Sequence, residues 1–292
     1  MKKVLFKGCG TALITPFTND GVDFEELRKL IEFQILEGID SLIICGTTGE
    51  SSTMSLEEKK SVIEFSIKIA NGRVPIIAGT GGNNTKEVIN LSKYAESVGA
   101  DGLLLVTPYY NKTTQNGLIS HFTEVAKSVS LPIILYNVPS RTGLNIEPET
   151  CLELSKIPNI VGIKEASGNI SQVAKITNLC QDNLAIYSGN DDQIVPILSL
   201  GGLGVISVLS NIYPKYVHDL VMDYLTGNWQ KATASQVYAI PLINALFSEV
   251  NPIPIKYAVN KIGFKAGLPR LPLVELSDKN KEKIDLIMKN WI

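Results

Sequence analysis

The amino-acid sequence predicts an α/β protein in which a (β/α)8 TIM barrel is followed by a small C-terminal helical domain. Three observations predict this fold. Apolar runs alternate with amphipathic helical stretches eight times, and each strand and helix together span roughly thirty residues, as a βαβ repeat does. The apolar runs are continuous rather than alternating, which indicates strands buried on both faces of a parallel sheet. Eight such units in succession are typical of a closed barrel.

The predicted strands are 10–16, 41–45, 74–78, 102–106, 132–136, 161–164, 184–188 and 204–208. A helical stretch follows each strand. Asp23, Ser55 and Asn84 each stand three positions before a glutamate, a pattern that caps the start of a helix. Pro148 and Pro214 suit the first turn of the helices that they begin.

The strand pattern stops after residue 227, and apolar residues then recur at helical spacing, interrupted by prolines. We therefore predict a catalytic barrel over residues 1–227 and a domain of three helices over residues 228–292. A doubly wound open sheet is the alternative fold. The regular count of eight units and the lack of a GxGxxG motif after the first strand argue against it.

The composition argues against several kinds of partner. The 27 basic and 29 acidic residues nearly cancel, which gives no electrostatic reason to expect nucleic acid or an anionic membrane surface. No apolar run is long enough for a membrane span, and the N-terminal apolar stretch is too short for a signal peptide, so we expect a cytoplasmic protein. The four cysteines make no CxxC pair, and His121 and His218 lack a second histidine at i+4, so no metal site is predicted.

Lys164 ends the sixth predicted strand, in the segment VGIKEASG. A barrel places its chemistry where its strands end, because all eight ends face the same rim. Burial among apolar strands disfavours the ammonium form of a lysine, and a neutral amine can attack a carbonyl to form a Schiff base. A lone lysine at a strand end would more simply extend its amine into solvent. The neighbouring residues therefore decide between the two interpretations.

Polar side chains converge on the same predicted rim. Tyr136 ends the fifth strand, next to Lys164, and its phenol can move the protons that Schiff-base chemistry requires. The glycine-rich turn 46–51 can hold a carboxylate through its backbone N–H groups. The glycines of 201–204 precede the eighth strand and so belong to the opposite, structural face. The other polar residues at strand ends are Tyr109, Tyr110, Arg141 and 188–191.

Five motifs follow the predicted strands two, four, five, six and seven in order: GTTGES, TPYYN, YNVPSRTG, GIKEASG and SGNDD. As a set they resemble the dihydrodipicolinate synthase family of pyruvate-dependent class I aldolases, from about Gly8 to the end of the chain. The resemblance implies a lyase that condenses pyruvate with L-aspartate 4-semialdehyde in the diaminopimelate route to lysine. It also implies a barrel with a helical domain, and neither an organic cofactor nor a catalytic metal.

The catalytic residues are those that the resemblance implies. Lys164 would form the Schiff base with pyruvate, and Tyr136, Thr47 and Tyr110 would relay protons. Tyr110 would reach into the site of a neighbouring subunit. The implied assembly is therefore at least a homodimer, and commonly a homotetramer built as a dimer of dimers.

The same resemblance implies the residues that bind the two substrates. Thr48 and the adjacent backbone would hold the pyruvate carboxylate, and Arg141 would bind the carboxylate of the semialdehyde. Gly189 and Ile206 would line the pocket.

The resemblance also implies a possible effector site at a dimer interface, formed by Ser51, Leu56, Lys59, Asn83, Glu87 and Tyr109. Lysine-inhibited members carry histidines at the positions of Leu56 and Lys59. Lys59 would place a like charge near a cationic effector, which lowers its affinity. We therefore predict that inhibition by lysine is weak or absent.

Two other functions are alternatives. N-acetylneuraminate lyase and 2-keto-3-deoxy sugar acid aldolases share the lysine and the strand-five tyrosine, but Arg141 favours a short acceptor with its own carboxylate. A barrel that binds a keto acid without turning it over belongs to a different class. The presence of both Lys164 and Tyr136 argues against that alternative.

Overall fold

The structure, a computed structural model, describes residues 2–291 and contains a closed barrel of eight parallel strands. The strands follow chain order around the barrel, and β1 lies between β8 and β2. Because the sheet closes on itself, the predicted (β/α)8 barrel is confirmed and the open-sheet alternative is wrong. The strands are β1 Gly8–Ala12, β2 Ser41–Ile44, β3 Ile76–Gly79, β4 Gly102–Val106, β5 Ile133–Asn137, β6 Ile160–Glu165, β7 Ala185–Ser188 and β8 Gly204–Ser207. Residues 1 and 292, the outer limits of the two predicted domains, lie outside the described residues.

Helices connect the strands and continue beyond the barrel. Those between and after the strands are α1 Phe24–Leu36, α2 Leu56–Ala70, α3 Thr85–Ser97, α4 Gln115–Ser128, α5 Pro139–Thr142, α6 Pro148–Ser155, α7 Ile170–Cys180, α8 Ile194–Ser199 and α9 Pro214–Leu225. The C-terminal region holds α10 Trp229–Leu246, α11 Ile253–Lys261 and α12 Asp278–Lys289, which confirms the prediction of three helices there. No helix within residues 2–291 has the length and apolarity that crossing a membrane requires.

The interior of the barrel is a packed core. Alternate side chains of the strands point into it. Phe6, which precedes β1, stacks on Tyr187 with ring centres 4.5 Å apart, and the Tyr187 hydroxyl donates to the Phe6 carbonyl at 2.8 Å. These two aromatic residues belong to the buried cluster that fills the barrel interior.

The first strand ends earlier than predicted. It spans Gly8–Ala12 rather than 10–16. Leu13 and Ile14 stay buried, but the Ile14 N–H donates to Asn211 Oδ1 at 3.0 Å instead of joining a strand. The chain then forms a short antiparallel hairpin between Phe17–Thr18 and Gly21–Val22. The sequence does not predict this hairpin, because strands of two residues are too short to show a periodic pattern.

The helix starts largely follow their capping patterns. Ser55 and Glu58 form a complete capping box at α2. Asp23 caps α1 by accepting the Glu26 N–H at 2.9 Å, but the return bond of a capping box is not formed. The Glu26 carboxylate instead accepts the Lys265 N–H at 2.7 Å, because a tertiary partner from the C-terminal region competes for it.

The C-terminal helices share the outer core of the barrel. Leu242, Ile255 and Ile284 belong to the same buried cluster as the side chains between strands and barrel helices. Gly267 has a φ of +71°, and a Cβ there would lie 2.0 Å from the Phe17 carbonyl oxygen. Only glycine allows this close approach, which brings the C-terminal region against the hairpin.

Candidate active site

Lys164 and Tyr136 face each other inside the barrel. They are directly paired in the register of β5 and β6, which confirms the predicted adjacency. Both are buried, with 5% and 7% of their surfaces exposed, and the Lys164 Nζ lies 4.3 Å from the centre of the Tyr136 ring. A positive nitrogen over an aromatic face gains roughly 0.5–2 kcal/mol. The Tyr136 ring is therefore placed to stabilise a positive charge that a reaction would create at this nitrogen.

A buried polar network ties together the strand ends that carry this pair. Asn137 and Glu165 are the next residues of β5 and β6 and are also paired in register. The Glu165 carboxylate accepts from Asn137 Nδ2 at 2.9 Å, Gln172 Nε2 at 3.1 Å and the Ser167 N–H at 2.7 Å. Asn137 Oδ1 accepts the Ile146 N–H at 2.9 Å. Because side chains alternate along a strand, this network holds the two strands from outside the barrel.

Gly189 leaves room for the Lys164 side chain. A Cβ at Gly189 would lie 3.2 Å from Lys164 Cε and 2.6 Å from Ala166 Cβ. The structure thus places Gly189 next to the Lys164 side chain. Ile206, the other predicted pocket residue, is fully buried in the barrel interior together with Tyr136.

A cavity of about 230 Å³ opens at the rim where the strands end. Tyr136 contributes to its wall, whereas Lys164 does not. Tyr136 therefore contacts both the cavity and the amine. The other predicted site residues in the wall are Thr47, Arg141, Ser51, Lys59 and Tyr109.

The turn after β2 is held from two sides. On the barrel side, Thr15 Oγ1 donates to the Gly49 carbonyl at 2.7 Å. On the other side, Asn251 Nδ2 donates to Thr48 Oγ1 at 3.0 Å, and the Asn251 carbonyl accepts from Arg141 Nη2 at 3.1 Å. Asn251 thus links two predicted substrate-binding residues, and its buried Oδ1 has no hydrogen-bond partner among residues 2–291. Sequence reasoning missed it, because an asparagine before a proline carries no distinctive signal.

Two polar residues of the predicted rim have other roles. Asp191 is buried, and its Oδ2 accepts the N–H groups of Val208 and Leu209 at 3.0 and 2.9 Å. Burial raises the pKa of Asp191, although a hydrogen bond from Ser207 and those two N–H groups oppose the shift. Asp191 therefore supports the backbone after β8. Glu50 is likewise buried and pairs with a lysine of the C-terminal region.

Cys45 lines the cavity but is a poor nucleophile. Burial raises the pKa of its thiol to about 12, although Lys59 opposes the shift. At neutral pH the thiolate is therefore scarce. Within residues 2–291 no group of three His, Cys, Asp or Glu side chains could hold a metal ion.

The residues of the predicted effector site do not all reach the cavity. Ser51, Lys59 and Tyr109 line it, whereas Leu56 is 49% exposed. Asn83 Nδ2 donates to the Tyr109 carbonyl at 3.1 Å, and Glu87 accepts from Asn84 at 3.0 Å.

Tyr110 projects away from its own cavity. It is 92% exposed, it has a φ of 68°, and it is not part of the cavity wall. Within one chain, therefore, the structure brings together Lys164, Tyr136 and Gly189, places Thr47 and Arg141 at the cavity, and leaves Tyr110 at the surface.

Comparisons with known proteins agree with this geometry. A family model described as "Dihydrodipicolinate synthetase family" matches residues 5–291. A protein of Caldicellulosiruptor saccharolyticus named 4-hydroxy-tetrahydrodipicolinate synthase is 60% identical over 279 residues, which are 95% of this chain and 94% of that protein.

Solved structures give the same result. A dihydrodipicolinate synthase from Thermotoga maritima has a TM-score of 0.96 at 42% identity, over 98% of this chain and 99% of its own. A dihydrodipicolinate synthase from Cyanidioschyzon merolae with lysine bound has a TM-score of 0.95 at 37% identity, over 98% of both chains.

Proposed function

The chain belongs to the dihydrodipicolinate synthetase family, and we propose from this that it condenses pyruvate with L-aspartate 4-semialdehyde in the diaminopimelate route to lysine. Membership makes it a lyase of the class I aldolase type. The relatives also favour the synthase over the N-acetylneuraminate lyase and sugar acid aldolase alternatives. The single observation that carries the proposal is the register pairing of the buried Lys164 with Tyr136.

The proposed reaction runs through Lys164. Its amine attacks the keto carbon of pyruvate, water leaves the carbinolamine, and the iminium loses a methyl proton to become an enamine. The enamine carbon bonds to the aldehyde carbon of the second substrate, whose oxygen takes up a proton. Attack by the amino group of that substrate on the iminium carbon closes the ring and releases the lysine amine. The covalent bond thus replaces an organic cofactor or a metal.

Tyr136 and Thr47 would carry the protons. Tyr136 is supported by its contact with both the amine and the cavity, and Thr47 by its place in the cavity wall. Thr48 would hold the pyruvate carboxylate together with the backbone of its turn, and Arg141 would bind the semialdehyde carboxylate. The Asn251 bridge between these two residues supports a shared site, because it fixes their separation.

Tyr110 supports an oligomeric enzyme in this proposal. Tyr110 is 92% exposed, so in a monomer its ring has little contact with the rest of the protein. It would complete the proton relay of Tyr136 and Thr47 if it entered the cavity of a neighbouring subunit. We assign the chain to at least a homodimer and, with the family pattern, to a homotetramer. All four cysteines are free thiols, which suits a reducing compartment such as the cytoplasm.

Borohydride reduction tests the Schiff base. With pyruvate present, reduction should add the pyruvate-derived group to Lys164 and inactivate the enzyme, because only an iminium is converted to a stable amine. Peptide mass analysis locates the adduct, and Lys164→Ala is the matched control that should stay unmodified. A non-catalytic barrel would give no adduct, and that result would reject the proposed function.

Replacing Arg141 separates the two substrates. Arg141→Ala should still form the pyruvate adduct, but we expect kcat/KM for the semialdehyde to fall by about a hundredfold, since a charged hydrogen bond to a carboxylate is lost. A coupled assay measures the reaction. Equal losses for both substrates would contradict the assigned role.

Inhibition by lysine should be weak or absent. Lys59 lines the cavity, and its positive charge opposes a cationic effector. An activity curve against L-lysine measures the effect, and Lys59→His, which weakens the repulsion, is the comparison. Half-loss of wild-type activity at or below low millimolar lysine, roughly 4 kcal/mol of binding free energy, would contradict the prediction.

A further inference from the structure

The turn that would hold the pyruvate carboxylate is connected to the C-terminal region by a buried ion pair. Lys256 of α11 donates to Glu50 Oε1 at 2.7 Å, and each residue has 1% of its surface exposed. Glu50 Oε2 accepts the Arg270 N–H at 2.8 Å. The Lys256 amine also donates to the Leu268 carbonyl at 3.3 Å. Both oxygens of Glu50 are thus used by residues more than two hundred positions away in the chain.

Glu50 needs such support because of its backbone. Its φ of 55° lies in the left-handed region, which a residue with a long side chain adopts only when its surroundings hold it there. The Glu50 N–H donates to the Thr47 carbonyl at 3.1 Å, so this conformation sets the path of the chain through Thr47 and Thr48. A change at Glu50 therefore moves the residues that face the pyruvate carboxylate.

The ion pair is poorly explained by stability alone. Removing two charges from water is costly, and apolar residues of similar volume often stabilise a protein as well or better. Burial lowers the pKa of Lys256, whereas the charge of Glu50 and its hydrogen bond oppose the shift. The Lys256 amine also lies 4.4 Å from the centre of the Phe17 ring, and the Arg270 guanidinium lies 4.0 Å from the same ring. The pair is therefore held in one geometry by several partners.

We propose that Lys256 is a positioning residue that holds, through Glu50, the turn that binds the pyruvate carboxylate. This inference rests on the proposed function and adds to it a part for the C-terminal region. Lys256 does not touch the substrate in this role. It acts on the affinity for pyruvate, while the Schiff-base chemistry of Lys164 stays intact.

Lys256→Met tests the inference in the full-length enzyme. Methionine keeps the length and removes the charge, so Glu50 loses its partner and the turn can move. We expect the pyruvate concentration that half-saturates borohydride trapping to rise by about tenfold or more, equal to about 1.4 kcal/mol. The adduct formed at saturating pyruvate and the KM for the semialdehyde should stay near wild type.

Lys261→Met is the matched control. Lys261 lies on the same helix and pairs with Asp285 at 3.0 Å, but its side chain is 45% exposed. It should leave the half-saturating pyruvate concentration unchanged. If the wild type forms no adduct at any pyruvate concentration, the proposed function fails and this inference fails with it. If the wild type reacts and a folded Lys256→Met variant half-saturates at the same pyruvate concentration, only this inference fails.

A second variant covers the case in which Lys256→Met does not fold. The double variant Glu50→Gln with Lys256→Met leaves no unpaired buried charge, and the glutamine oxygen can still accept the Arg270 N–H. We expect it to unfold at a higher denaturant concentration than the single variant but still to bind pyruvate more weakly than wild type. Wild-type pyruvate affinity in a folded Lys256 variant, single or double, would overturn the inference whatever its stability.

Discussion

Lys164 owes its proposed reactivity to its immediate neighbours. The Tyr136 ring lies over its nitrogen, and Gly189 leaves the space that its side chain occupies. A lysine at a strand end without these neighbours would extend into solvent. At the scale of single residues, the proposed site therefore depends on the missing Cβ of Gly189 as much as on the Lys164 amine.

Gly189→Ala should impair the reaction. The new methyl group would lie 2.6 Å from Ala166 Cβ, so the chain there must shift, and 3.2 Å from Lys164 Cε, which crowds the lysine side chain. We expect kcat/KM to fall by about tenfold or more, with slower trapping by borohydride. Gly82→Ala is the control, since its Cβ would meet only Val88 at 3.4 Å. Equal activity in the two variants would show that the Lys164 side chain tolerates the added methyl group.

At the scale of elements, two neighbouring strands must end in register. Asn137 and Glu165 connect the ends of β5 and β6 one position beyond Tyr136 and Lys164, and each is almost fully buried. The Glu165 carboxylate accepts hydrogen bonds from neutral donors. Each donor that is lost leaves its charge less well compensated in a region of low dielectric constant. The network therefore couples stability to the alignment of Tyr136 and Lys164, the two proposed catalytic side chains.

Asn137→Ala should lower the stability of the protein and disturb the alignment of Tyr136 with Lys164. It removes the donor to Glu165 and leaves the Ile146 N–H without its acceptor. We expect the free energy of unfolding to fall by about 2–4 kcal/mol, measured by denaturant titration, and the rate of Schiff-base trapping to fall with it. Asn90→Ala, at an exposed position of α3, should change neither quantity. A stability loss no larger than that of Asn90→Ala would contradict the role of the network.

At the scale of the whole molecule, the barrel closes where β1 meets β2 and β8. Asp40, just before β2, accepts the Cys9 N–H of β1 at 2.7 Å and bonds His218 of α9 at 2.7 Å. The hydrogen bond to Asp40 raises the pKa of His218, and the charges of Asp40 and Asp219 act in the same direction, whereas burial and Lys215 oppose them. This contact joins the beginning of the chain to the last barrel helix.

The His218 contact should make stability depend on pH. Because the pKa of His218 is raised by folding, its contribution is complete below the unfolded value of about 6.5 and is lost as the pH rises through the folded value. The denaturant midpoint of wild type should therefore exceed that of His218→Gln by more at about pH 5.5 than at about pH 9.

His121 provides a comparison, because its pKa is shifted in the opposite direction to that of His218. Burial lowers its pKa, so its contribution to stability is lost as the pH falls. The advantage of wild type over His121→Gln should shrink at the lower pH. The same trend for both histidine variants would contradict the role given to the Asp40 contact.

The sequence by itself determined the architecture and the central pair of residues. Continuous apolar runs and capped helices at a regular repeat specify eight strands buried on both faces, and parallel strands of a barrel end at one rim. Tyr136 and Lys164 each stand one residue before the end of consecutive strands, so their adjacency follows from chain order. Local patterns of this kind are readable because they arise from neighbours in the chain.

Only the tertiary structure decided which distant residues support the site. Asn251 reaches Thr48 and Lys256 reaches Glu50 across some two hundred positions, and Glu26 exchanges its capping bond for the Lys265 N–H. None of these contacts has a local signature. A hydrogen bond between residues far apart in the chain depends on where packing places the backbone. The sequence contains many side chains of the same type, and only the folded structure shows which of them forms each bond.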